Sequence, residues 1–347
     1  MRCPITIAAI IVLLLAAGAA ATDVDGLHSA WVPVADRSEA EFRRGIAKAL
    51  EIVIVKLTGD RAAPKSKSGR GVVGQAKRLV QQFSYEVLRY GGSSTEQLML
   101  RVEFDARVVN ANMRSRGLVV WGKERPDTLF WLVVDDSTGG RYLLGADHDD
   151  ELIRVITERA RVRGVPILFP IADIAESSAV ADAVSDIALE QALKTSSVNY
   201  GLRSILIGQL RQVIPGVWEN RWTLSVEDES LTWMQRGDFI SLLVEEATDL
   251  MADALGRRYA TPQSVHTDVV AVTVNGVVSA LDYARTERYL RSLDSVIDLF
   301  VRQVDGADIV FDITVAGGLA ALTQSIAFGR MLDPDPVDAA VFRLIAN

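Results

Sequence analysis

One cysteine, Cys3, stands in a chain of 347 residues. No intramolecular disulfide can form, and no set of cysteines can hold zinc. Such a chain must be held by ordinary apolar cores, built from helices and strands that each bury a face. The composition permits this, with 49% hydrophobic and 24% charged residues, near the average for globular domains. At roughly 100–200 residues per domain, the length suits two or three such units. The formal charge of -8 argues against a general nucleic-acid or anionic-membrane binder, which needs a positive face.

Cys3 lies in a leader-like segment. Arg2 supplies a short positive start, residues 5–17 are an apolar run, and Ala19, Ala20 and Ala21 are the small residues a signal peptidase accepts. The pattern predicts a cleaved signal peptide over residues 1–21 and a periplasmic mature protein with no thiol and no transmembrane segment. The apolar run is shorter than the roughly 20 residues a bilayer-spanning helix needs.

Three units are expected after it. Over residues 22–120, Ser38 and Glu41 have the spacing of a capping box. Phe42, Ile46, Ala49, Leu50, Val53, Ile54 and Leu57 then share one helical face, and Gly59 ends the helix. Two period-2 runs, Phe83–Tyr85–Val87 and Leu98–Leu100–Val102–Phe104, complete a small α+β unit. Over residues 128–260, the apolar run LFWLVV reads as a buried central strand. Helices are expected near 149–163, through Val180, Val184, Ile187, Ala188 and Gln191, and after a cap at Asp238. Strands through Trp218, Trp222 and Val226 and a short neighbour from Leu231 to Met234 complete an α/β layer sandwich. Over residues 266–347, the order βαββαβ is that of the ferredoxin-like fold, which hosts many unrelated functions.

Several segments together resemble a known family. They are SEAEFRRGIAKALEIVIVKLTG, QQFSYEV, the crossing VVWGKERPDTLFWLVVDD, RGVPILFP and VNGVVSALDYARTERYLRSL. This set is similar to a proteobacterial exported family known as domain of unknown function 2066 (DUF2066), from about residue 24 to the end. The resemblance implies no activity and no catalytic residues.

Candidate sites are few. GRGVVG, residues 69–74, fits a dinucleotide-binding string but follows a helix and a polar loop rather than a strand, so it reads as surface loop. Asp135 and Asp136 end the central strand, and Asp147, Asp149 and Asp150 cluster before a helix. Oxygen ligands of this kind suit Ca²⁺ or Mg²⁺, while the plain alternative is a turn and a helix cap. His28, His148 and His266 have no metal-ligand spacing, and no G-x-S-x-G elbow is present. Trp218, Trp222 and Trp233 form either a partner-binding platform or core packing. Lys65, Lys67, Arg70, Lys77 and Arg78 read as a solvated face. No cofactor is implied. The chain reads as a non-enzymatic periplasmic scaffold or adaptor that binds envelope proteins. The alternative is a divalent-cation enzyme or sensor using the acids at 135–136 and 147–150.

Overall fold

A computed structural model describes residues 21–89, 96–135, 140–148, 150–260, 267–293, 295–329 and 331–345. The chain is a mixed α/β protein. Its first core, running from Leu27 to Val120, lies under a three-stranded antiparallel sheet.

After β1 (Ala21–Asp23) and β2 (Ser29–Pro33), helix α1 (Glu39–Thr58) begins where the sequence signals it. The Ser38 hydroxyl accepts from the Glu41 N–H at 3.3 Å, but the Glu41 carboxylate accepts from Ala35 rather than completing the box at Ser38. Gly59 ends the helix in the left-handed region, where a glycine carries no Cβ penalty. The expected loop at 69–74 is instead helical: α2 (Lys67–Val73) and α3 (Ala76–Leu79) follow a 3-10 turn at Ala63–Lys65. A Cβ on Gly69 would sit 2.0 Å from the Ala63 carbonyl oxygen, so glycine lets α2 close onto that turn. Lys65, Lys67, Arg70, Lys77 and Arg78 are all exposed. Strands β3 (Val80–Arg89) and β4 (Glu96–Phe104) complete the sheet in the order β2-β4-β3, followed by α4 (Ala106–Ser115).

The crossing contains β5 (Glu124–Pro126), paired with β1, and leads into β6 (Thr128–Asp135). Phe130, Leu132 and Val134 face one core while Leu129, Trp131 and Val133 face another. A strand buried on both sides must be apolar at every position, which explains the unbroken LFWLVV. The sheet adds β7 (Arg141–Leu144), β8 (Ile167–Leu168), β9 (Ser204–Ile214), β10 (Val217–Val226) and β11 (Glu229–Gly237), in the order β11-β10-β9-β6-β7 with β8 beside the start of β6. Helices α5 (Glu151–Arg163) and α8 (Ile240–Tyr259) cover one face, and α6 (Ile174–Ala181) and α7 (Asp186–Ser197) the other. The single helix expected across Val180 to Gln191 is thus two. Ser185 starts a new cap by accepting from the Ala188 N–H, and Val184 lies exposed in the break. Helix α8 starts after Phe239 without a side-chain cap, so Asp238 does not serve as one.

The third sheet contains β12 (Thr267–Asn275), β13 (Val296–Asp305), β14 (Asp308–Ala316), β15 (Leu332–Pro334) and β16 (Val341–Leu344), with α9 (Ala280–Ser292) and α10 (Gly318–Phe328). Its order, β13-β14-β12-β16-β15, follows the ferredoxin-like arrangement through α10. The last strand departs from it. The chain forms β15, reverses once more, and β16 then lies parallel to β12.

Candidate functional site

The first and central units are joined by buried arginines. Arg163 closes α5, is 2% exposed, and donates to the Asp249 carboxylate at 2.8 Å, to Asp253 at 2.6 Å and to the Gly59 carbonyl at 2.8 Å. Asp249 and Asp253 stand four residues apart on α8, and Arg159 and Arg163 four apart on α5, so each pair shares one helix face. Arg159 and Arg61 also bind Asp249, and Arg61 binds Asp253. Burial pushes the Asp249 carboxyl up, but hydrogen bonds from Arg159 and Arg163 outweigh it and hold the pKa below its ordinary value.

Arg125, fully buried in the crossing, donates to the Lys56 carbonyl at 2.7 Å and the Gly164 carbonyl at 2.6 Å. These carbonyls belong to the C-terminal ends of α1 and α5, where the helix dipoles are negative. Its guanidinium also stacks 4.2 Å from the Trp121 ring centroid. Between these polar groups, Gly256 of α8 meets Gly59 backbone to backbone. No periodicity in the sequence marks Arg125 or Arg163 as buried; the adjacent Pro126 signals only an extended backbone.

The acidic positions do not converge. Asp135 forms a bidentate pair with Arg141, at 2.6 and 3.0 Å, and accepts from Arg211 at 3.4 Å. Partial burial raises its pKa, yet the Arg141 hydrogen bonds and both positive charges bring it below the usual value. Asp150 caps α5 by accepting from the Leu152 N–H at 2.7 Å, and Asp147 is exposed in a turn. Asp136 and Asp149 lie outside the described residues. Among the described residues, no group of three or more His, Cys, Asp or Glu side chains could hold a metal ion.

The tryptophans belong to the core rather than to a platform. Trp222 is 0% exposed, stacks on Trp233 with centroids 6.5 Å apart, and meets Phe130 edge-on. Its ring lies so close to Gly208 that a Cβ there would approach it to 2.1 Å. Trp218 and Trp233 pack against the same core and are partly buried. Alternate residues of β10 and β11 point under α8, which covers Trp222 fully and leaves Trp218 and Trp233 partly exposed.

What remains open is the strand itself. β11 extends over nine residues, beyond the short Leu231–Met234 segment expected, and pairs with β10 without a register shift from Trp218↔Gly237 to Val226↔Glu229. Among the described residues no strand pairs with its outer side. Leu231 and Met234 are 45% and 68% exposed on its two faces. A groove of about 710 Å³ runs between β11 and α8, lined by Leu224, Val226, Leu231, Ala254, Arg257 and Arg258 among others.

These features define a mixed α/β protein with three larger sheets among the described residues; its first two units are held by buried arginines, and its central sheet ends in a strand that no other described strand flanks. Residues 21–122 match a family model described as a domain of unknown function (DUF8605). The matched segment ends at the crossing, next to Val120, the last residue of the first core. This finding corrects the DUF2066 resemblance, which is a different domain of unknown function. That resemblance rests most on the crossing VVWGKERPDTLFWLVVDD, whose Trp121, Arg125, Phe130 and Trp131 are buried here as packing within and between the units. No curated protein matches the chain.

Proposed function

We propose that this protein is a non-enzymatic periplasmic adaptor that binds an envelope protein by accepting one of its extended segments as an added strand along β11. The observation that carries this reading is the nine-residue, unshifted register of β11 with no strand among the described residues on its other side. Unpaired edge N–H and C=O groups template a further strand, and proteins that avoid this blunt the edge with bulges, Pro or Lys. β11 contains neither Pro nor Lys. Of the other long edge strands, β13 carries two register shifts that blunt it, and β3 carries one, at its start.

The groove beside β11 suits alternate apolar side chains of an incoming strand, and exposed Arg257 at its rim favours an acidic residue in that strand. The periplasmic location rests on the leader pattern in the sequence. A photo-crosslinking residue at Met234 tests the reading in cells. The expected result is one adduct to an envelope protein, mapped to an extended segment and lost when Leu231→Lys puts a charge into the groove. An adduct that survives Leu231→Lys, or none at all, overturns the proposal.

A further inference from the structure

Lys56 is the second unusual position, independent of β11. It lies in the last turn of α1 and is 6% exposed. Its ammonium donates to the Ser29 carbonyl at 2.8 Å and the Gly26 carbonyl at 3.2 Å. These bonds use two of its three N–H groups. No carboxylate among the described residues comes within ion-pair distance, although buried charges are normally paired. The nearby acid, Glu158, accepts from Arg161 Nε at 2.9 Å and from its Nη2 at 2.6 Å.

Lys56 lines a cleft of about 730 Å³ between the first unit and α5, within the range of small-molecule sites. Trp31, Ile52, Leu88 and Met99 supply apolar walls, and Arg161 lies at the same opening. Asp25 and Glu158 are the acids facing the cleft, and Arg161 and Arg125 the cations nearest Lys56. Glu158 and Arg161 engage each other, while the Lys56 ammonium meets only backbone carbonyls; Asp25 also lines the cleft.

We propose that this cleft binds an amphiphilic carboxylate, its anionic head on the Lys56 ammonium and its apolar part along Ile52, Leu88 and Met99 against Trp31. Burial, with the Arg161 and Arg125 charges, pulls the Lys56 pKa down to about 8. The ammonium is therefore lost as the pH rises past that value, and binding weakens with it.

Calorimetric titration of the full chain with decanoate, below its micellar concentration, tests the proposal. Decanoate should bind about tenfold tighter than decan-1-ol near pH 6.5, the size of one charge-assisted hydrogen bond, and should lose that advantage near pH 9.5. Lys56→Met should remove both the advantage and its pH dependence. A second measurement does not depend on that variant folding: decanoate should protect Lys56 of the unaltered protein from reductive methylation, read by peptide mass spectrometry. Equal binding of decanoate and decanol, unchanged binding in Lys56→Met, or undiminished methylation at saturating decanoate each overturns the proposal.

Discussion

Replacing Arg163 by methionine probes the joint between the first two units most directly. Methionine keeps much of the aliphatic stem but removes the hydrogen bonds to Asp249, Asp253 and Gly59. Breaking a buried ion pair by deleting one partner costs about 3–5 kcal/mol, because the remaining charge is stranded. Here Arg159 and Arg61 still face Asp249, so the lower end, about 3 kcal/mol, is expected. At roughly 2–4 °C per kcal/mol for a body of 150–250 residues, calorimetry should record a fall of about 6–12 °C. Adding Asp249→Leu should cost less than the sum of the single changes, with a coupling of about 1–3 kcal/mol. A loss below about 1 kcal/mol, additive with Asp249→Leu, would refute the reasoning, since that is what an exposed surface pair contributes.

The same joint gives a pH signature. The Asp249 pKa is lowered in the folded protein, so its contribution is fully present above the unfolded value of about 3.9 and is lost as the pH falls through the folded value. The gap in urea midpoint between wild type and Arg163→Met should shrink as the pH falls below about 4; a gap that is constant with pH contradicts the ion-pair account. Gly256→Ala should destabilise although alanine favours helix by up to about 1 kcal/mol, because its Cβ would lie 2.6 Å from the Gly59 Cα and overpacking costs about 1–3 kcal/mol. Gly71→Ala serves as the contrast: its Cβ would meet only the tip of the Arg116 side chain at 3.1 Å, and thermal melts should show no loss. Trp222→Ala should lower stability by about 3–5 kcal/mol, as for any large core aromatic. The Met234 adduct of the remaining folded protein should persist; its selective loss at full stability would return Trp222 to the partner surface.

Much of this protein is legible along its own sequence. The absence of a disulfide follows from one cysteine. The capped start and glycine stop of α1, the doubly buried strand LFWLVV, and the βαββα order of the third sheet all arise from contacts between near neighbours and from periodicities of 3.6 and 2. The tertiary structure decided the rest. Arg163 and Asp249 are 86 residues apart, and Arg125 reaches carbonyls 69 and 39 residues away. A lone arginine in sequence reads as surface, and only the meeting of two helix ends makes its burial favourable. The same holds for Trp222, whose alternation marks a buried-or-bound face but whose cover is α8, and for Gly69, whose glycine string reflects a close backbone approach. The open side of β11 was equally hidden. A strand's own residues determine which side chains alternate, whereas the number of strands beside it depends on where the rest of the chain goes.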